Sequence, residues 1–292
     1  MTVIEELIDL VRTADSTAAA AVVAIGSRGR GTGFVVAPGK VLTNAHNLRD
    51  RTTQVTFADG RAVQATVTGS DLDGDLVVLD VETGDIAPLS WAAEAPTTGD
   101  VVVTVTAGRH RRRTTWGQVT ATEAGFLGPR GRPITGAMEH AAPCAPGSSG
   151  APVLDRNGQV VGINTHRLEY GFYLARSVDT ALRGVVDGMA GGHTFEPARL
   201  GVAVAPANVA ARLRAAVGLT GRDGLLVQEV ADGSPAALAG IVRGDLLVRV
   251  GDRELRTTDD LFAVLGSVTA GDTLLIGVVR GVEERELTVT FG

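Results

Sequence analysis

Short apolar runs punctuated by glycine leave this chain few folds to choose from. Six follow one another near the start: Ala20 to Ile25, Gly33 to Ala37, Lys40 to Thr43, Thr53 to Phe57, Arg61 to Thr68 and Leu76 to Val81. Runs of this length, rich in Val and Thr and bounded by Gly, Asn or Asp, are predicted as strands. Ala58-Asp59-Gly60 supplies a hairpin turn between the fourth and fifth. A second set of six comprises Val101 to Thr106, Thr115 to Thr122, Pro133 to Met138, Ala151 to Leu154, Val160 to Asn164 and Phe172 to Ala175. Each set is what an antiparallel barrel requires. With 38 glycines in 292 residues, tight turns and strands are favoured over a helical bundle.

The chemistry gathers at three points on these strands. Ala145-Pro146-Gly147-Ser148-Ser149-Gly150-Ala151 places a serine between glycines at the head of an apolar run. Gly147 can take backbone angles closed to other residues. The N–H groups of the Gly147, Ser148 and Ser149 loop could then receive the oxyanion formed when Ser149 attacks a carbonyl. Alone, such a cluster is more often a plain turn. Upstream, Val41-Leu42-Thr43-Asn44-Ala45-His46 is a strand ending in histidine, and Asp71-Leu72-Asp73-Gly74-Asp75 leads into another strand. The order His46, Asp75, Ser149 is that of chymotrypsin-type proteases and not the Ser-Asp-His order of α/β-hydrolases. His46 and Asp75 fall in the first strand set and Ser149 in the second, so the three would meet in a cleft between two barrels.

Together these segments resemble the T-N-A-H, D-L-A-V-L and G-N-S-G-G blocks of HtrA (Deg) family serine proteases. Further on, Gly233-Ser234-Pro235-Ala236-Ala237, Gly240 and Gly244-Asp245-Leu246-Leu247 resemble the signature of the PDZ domains in that family. The resemblance covers nearly the whole chain from about Ala20. It implies a mainly β protein, a chymotrypsin-like double β-barrel followed by an α+β PDZ domain. The divisions expected are an amphipathic helix over 1–17, a protease domain over 18–190, a linker over 191–198 and a PDZ domain over 199–292. Ser177 to Met189 is predicted as a helix with a serine cap. In the last domain, strands are expected at Leu225 to Val230, Leu246 to Val250 and Leu274 to Val279, and helices at Val209 to Val217 and Asp259 to Leu265.

The resemblance also assigns roles. His46 would act as base, Asp75 as the group that orients it and Ser149 as nucleophile. The primary specificity pocket would be walled by Pro143, Cys144 and Ala145, by Thr165, His166 and Arg167, and by Gly171, Phe172 and Tyr173. Pro143 stands where trypsin carries its pocket aspartate, so small or medium aliphatic side chains are expected before the scissile bond, and a bulky thiol reagent reaching Cys144 should slow cleavage. Arg199, Leu200, Gly201 and Val202 would cradle a peptide's C-terminal carboxylate, with Leu261 and Leu265 facing the bound strand. The family is typically trimeric, which makes a homotrimer the expected assembly.

Other readings of the same residues are weaker. Asp71-x-Asp73-x-Asp75 begins like a calcium loop, but Leu76 stands where that loop needs glycine. The run Arg109-His110-Arg111-Arg112-Arg113 has no interleaved aromatics and sits in a chain of net charge −6, so a solvated loop is expected and no nucleic-acid partner. His110, His140, His166 and His193 show no metal-ligand spacing; neither metal nor cofactor is expected. Cys144 is the sole cysteine, which excludes an intrachain disulfide. The N-terminus lacks a basic n-region, and Glu5, Glu6 and Asp9 interrupt its apolar residues, so no signal peptide is read there and a cytoplasmic location is expected. Against the family, Ser148 and Ala145 replace asparagines, Ala151 replaces a glycine, and Asn47 follows the histidine where valine is usual. Two functions remain: a serine endopeptidase recruiting protein substrates through its PDZ domain, or a catalytically impaired, chaperone-like peptide-binding scaffold.

Overall fold

A computed structural model describes residues 2–27, 29–49, 51–108, 111–129, 133–195, 198–219, 221–266, 268 and 271–292. The chain divides into two compact units, Met1–Glu196 and Pro197–Gly292.

The first unit opens with helix α1 (Val3–Ala18). Thr2 starts it with a capping box: its hydroxyl accepts from Glu5 N, and its own N–H donates to the Glu5 carboxylate at 2.8 Å. Only Ala14 and Ala18 are buried on this helix, and Val3 and Ile4 stay exposed. Strands β1 (Val22–Ile25), β2 (Gly31–Ala37), β3 (Lys40–Asn44), β4 (Thr52–Thr56), β5 (Ala62–Asp71) and β6 (Leu76–Asp80) follow. They hydrogen-bond in the order β5-β4-β1-β2-β3-β6, and β6 pairs back on β5, closing a barrel. Strands β7 (Val101–Ala107), β8 (Arg112–Leu127), β9 (Pro133–His140), β10 (Pro152–Leu154), β11 (Val160–Arg167) and β12 (Tyr173–Ser177) close a second. Phe34, Leu42, Leu76, Leu79, Leu154 and Ile163, all fully buried, belong to one core cluster shared by the two barrels.

Three expectations change here. Strand β8 runs 16 residues, twice the predicted length, because its pairing with β9 continues through three irregularities in register. It also absorbs Arg112 and Arg113, which were expected in a loop. Arg112 reaches helix α1, donating to Asp15 at 3.0 Å and to the Ala19 carbonyl at 2.9 Å. Arg109 and His110 lie outside the described residues. The helix after β12 is α2 (Thr180–Ala190), and its cap is Asp179, whose carboxylate accepts from Leu182 N at 2.7 Å. Ser177 remains in the strand because it pairs with Gly162. Within the stretch 191–198, Thr194–Phe195 forms strand β13, parallel to β5 with Phe195 opposite Asp71; Glu196 and Pro197 lie outside the described residues.

The second unit contains β14 (Val202–Ala205), α3 (Ala207–Ala216), β15 (Leu225–Val230), α4 (Pro235–Leu238), β16 (Leu246–Val250), β17 (Arg253–Glu254), α5 (Thr258–Leu265), β18 (Thr273–Arg280) and β19 (Glu283–Thr290). The sheet order is β14-β15-β16-β18-β19, with β17 paired to β16, so β14 is an edge strand. Strand β19 has no counterpart in the sequence reading, since Glu283 to Glu286 carry three acids and an arginine. It pairs along its whole length with β18 and turns Val289 inward.

Candidate active site

Strand β3 ends at Asn44 and the chain turns through one 3-10 turn, Ala45–Asn47, which carries His46. Asp75 sits at the foot of β6 in the left-handed region, at φ 59°. That conformation is uncommon for a residue with a Cβ, though Asp and Asn tolerate it best. The backbone there is held firmly: the Asp75 carbonyl accepts from Ala45 N at 3.0 Å and from Asn44 Nδ2 at 2.9 Å. Its carboxylate is fully buried. One oxygen accepts from His46 N at 3.0 Å, and the other lies 2.6 Å from His46 Nδ1. An ionised carboxylate can only accept, so Nδ1 donates to it, and in the neutral ring that tautomer leaves the lone pair on Nε2.

The turn before Asp75 is clamped from the second barrel. Arg176, on β12, donates to the Gly74 carbonyl at 2.7 Å and lies 3.6 Å from Asp71, whose carboxylate in turn accepts from Gly74 N at 2.8 Å. A Cβ on Gly74 would fall 1.9 Å from Asp71 and 2.5 Å from Arg176. Burial pulls the Arg176 pKa below the usual guanidinium value, and Asp71, Asp179 and Asp75 oppose that pull.

Ser149 follows a turn closed by Ser148 N donating to the Ala145 carbonyl at 3.1 Å. Ser148 therefore has its N–H engaged, whereas the N–H groups of Gly147 and Ser149 have no partner among the described residues. Gly147 takes φ 90° and Gly150 φ 83°; a Cβ on Gly150 would meet the Thr32 carbonyl at 2.2 Å. The Ser149 hydroxyl donates to the Thr165 carbonyl at 3.1 Å, and among the described residues no hydrogen bond joins it to His46. Thr165 also donates its own hydroxyl to Asp75 at 3.4 Å, so one residue touches two of the three groups. The ring of His166 stands edge-on to that of His46, 6.3 Å between centroids.

A cavity of about 220 Å³ opens beside Ser149. Of the expected pocket residues, Cys144, Ala145, Thr165, His166, Arg167 and Tyr173 line it, together with Asn164 and the loop Pro146, Gly147, Ser148 and Ser149. Pro143, Gly171 and Phe172 are not among its lining; Pro143 is exposed and its carbonyl accepts from Thr115. Behind the wall, buried His140 bonds Asn164 Oδ1 through Nε2 at 2.7 Å and accepts Ala142 N on Nδ1 at 3.2 Å. Burial lowers its pKa, against the Asn164 bond and the charge of Glu139. Cys144 is buried, its thiol donating to the Ala142 carbonyl at 3.4 Å, and burial pushes its pKa up to about 11. A thiol so placed offers little thiolate to a reagent.

In the second unit, Gly201 takes φ 80°, and a Cβ there would lie 2.2 Å from Ser234. The carbonyls of Leu200 and Gly201 accept from Ala236 N and Ala231 N, while the N–H groups of both residues have no partner among the described residues. Arg199 is exposed beside them. Leu200, Leu261 and Leu265 are buried in the unit's core, with Val202 packed partly against it.

Two closed six-stranded barrels bearing this serine, histidine and aspartate define a trypsin-like peptidase unit, and the sheet with its glycine-bearing loop defines a PDZ unit. The Trypsin-like peptidase domain family matches residues 31–163, and the PDZ domain family matches residues 198–291. A putative serine protease HhoB from Synechocystis is 29% identical, over 91% of this chain and 67% of the relative. A probable periplasmic DegP-like serine endoprotease from Halomonas elongata is 26% identical, over 91% of this chain and 56% of the relative. The solved structure of the HtrA-type protease AlgW with a decapeptide superposes with a TM-score of 0.77 at 23% identity, covering 97% of this chain and 98% of that one. The chain thus carries a trypsin-like peptidase domain followed by a PDZ domain and is similar over most of its length to HtrA-type serine proteases. It spans from about half to two thirds of the length of the curated relatives it matches. Several bacterial relatives are named periplasmic, which overturns the expected cytoplasmic location. That expectation rested on the first dozen residues, whose capping box and acids mark the start of a helix.

Proposed function

We propose that this protein is a serine endopeptidase acting outside the cytoplasm, with Ser149 as nucleophile, His46 as general base and Asp75 as the group that fixes the base's tautomer. The observation that carries the reading is the buried Asp75 carboxylate, bonded to both the backbone and the ring of His46. Substrate entering the 220 Å³ cavity turns the Ser149 hydroxyl from the Thr165 carbonyl toward His46 Nε2. His46 takes the proton as Ser149 attacks the peptide carbonyl, and the unpartnered N–H groups of Gly147 and Ser149 receive the developing oxyanion. The same ring returns the proton to the leaving amine, and water repeats the sequence on the acyl-enzyme. Ser148, its N–H already bonded, takes no part in that hole. The cavity's lining holds Arg167 and no carboxylate, so a small or medium aliphatic side chain suits the position before the scissile bond better than a basic one.

The PDZ unit recruits the substrate. A free C-terminus adds as a strand to the open edge of β14, with its carboxylate on the N–H groups of Leu200 and Gly201. Assembly as a homotrimer follows the family pattern.

The Ser149–Thr165 bond favours a second reading, in which the site is idle and the protein only binds peptides. A fluorophosphonate probe separates the two. Labelling that disappears in Ser149→Ala, together with loss of casein cleavage by that variant, supports the peptidase. An unlabelled wild type that binds peptides supports the scaffold.

A further inference from the structure

Asn47 follows the base directly, inside the same 3-10 turn, and is 2% exposed. Its Nδ2 donates to the Ser149 carbonyl at 2.9 Å and to Thr43 Oγ1 at 2.9 Å. Thr43 in turn donates to the Thr32 carbonyl at 2.7 Å. The backbone of Thr32 donates to the same Ser149 carbonyl at 2.9 Å, so both lone pairs of that oxygen are taken by the first barrel. The neighbouring peptides are fixed as well. The Ser148 carbonyl accepts from Ala151 N at 2.9 Å, Gly150 N donates to the Asn164 carbonyl at 2.8 Å, and Thr32 Oγ1 donates to the Gly147 carbonyl at 2.8 Å. With the planar peptides on both sides of Ser149 held, the direction of its Cα–Cβ bond is set. The Asn47 carboxamide lies over Gly31, where a Cβ would come within 2.2 Å of it.

We propose that Asn47 is a positioning residue that fixes the nucleophile relative to the base across the gap between the barrels. It is covalently next to His46 and hydrogen-bonded to the backbone of Ser149, so a single side chain sets the separation of the two reacting groups. Asn47 touches no substrate; it acts through Ser149. The inference rests on the peptidase reading above.

The test uses the full chain and four variants, one of them Asn47→Ala alone as the reference for the double variant. Asn47→Leu keeps the size and removes the donor. Gly31→Ala keeps Asn47 and pushes its carboxamide aside. Gly31→Ala with Asn47→Ala gives the new methyl the vacated space. A misplacement of about 1 Å costs roughly a hundredfold in rate. In Asn47→Leu and in Gly31→Ala, kcat and the rate of fluorophosphonate labelling should therefore fall about 10- to 100-fold, with KM changed less than threefold. The double variant should lose no more than Asn47→Ala alone. A folded Asn47→Leu within twofold of the wild type in kcat and labelling rate overturns the proposal, as do additive losses in the double variant. A wild type that neither cleaves nor labels overturns the peptidase reading and this proposal with it; an active wild type matched by Asn47→Leu overturns this proposal alone.

Discussion

Replacing Arg176 by methionine should weaken the fold and the chemistry together. The guanidinium leaves Asp71 without its cation and the Gly74 carbonyl without its donor. Breaking a fully buried ion pair costs about 3–5 kcal/mol. Here the two side chains are 19% and 16% exposed, which lets water replace part of the loss and brings the cost to about 2–3 kcal/mol. For a unit of this size each kcal/mol moves Tm by about 2–4 °C, so a fall of about 4–12 °C is expected. The effect on rate follows from Asp75, which the released turn carries. Loss of the carboxylate's function in a chymotrypsin-type triad costs about 10⁴ in kcat, the upper bound. A displaced but present carboxylate should cost about 10- to 100-fold. Thermal melts of Arg176→Met, Asp71→Asn and the double variant measure the first quantity, and kcat on a chromogenic peptide measures the second. The double variant should be more stable than the summed losses imply by about 1–3 kcal/mol, since it leaves no unpaired charge. A melt within 1 °C of the wild type, with kcat within twofold, would refute the clamp.

Three further outcomes follow from the geometry. His140 has its pKa lowered from 6.5 by burial, so the unfolded chain binds more protons and stability falls as pH drops below about 6.5 toward the folded value; the slope reaches at most about 1.4 kcal/mol per pH unit. His140→Gln, which can keep one donor and one acceptor, should flatten Tm between pH 6.5 and 5, and an unchanged slope would exonerate His140. Iodoacetamide at pH 7.5 should leave folded Cys144 unmodified and react once the protein is unfolded in urea, as read by mass spectrometry; rapid labelling of the folded protein would contradict its burial. A peptide with a free C-terminus should bind at least tenfold more tightly by calorimetry than its amidated form, and Gly201→Ala should erase the difference; equal affinities would sink the carboxylate cradle.

What the sequence reveals is what local chemistry demands. A serine between glycines, a histidine at a strand end and an aspartate at a strand start are legible because turn residues and reactive residues adjoin in the chain. Strand positions are legible because glycine and apolar alternation mark them locally. The supports are not. Asn47 meets Ser149 across 102 residues, Thr32 meets Gly147 across 115, and Arg176 meets Gly74 across 102, and no spacing rule announces such pairs. His140 gave no signal, because a buried histidine with two partners reads in sequence like any other. Pro143 falls outside the cavity, its carbonyl accepting from Thr115, a contact across 28 residues that no local pattern marks.

The left-handed backbone at Asp75 also bears on how such a protein can change over generations. At φ 59° most side chains would add strain, and only glycine, asparagine and aspartate sit there readily. Two separate demands, one from the backbone and one from the imidazole, thus fall on a single position. Glutamate, the nearest chemical relative, meets neither well. Asparagine meets the first and fails the second, because its amide cannot hold the ring proton of His46 as a carboxylate does. The substitution the fold accepts most easily at this site is therefore the one that silences it. On the peptidase reading, one oxygen exchanged for one NH₂ separates this chain from a descendant that keeps both barrels and the PDZ unit but no longer cuts.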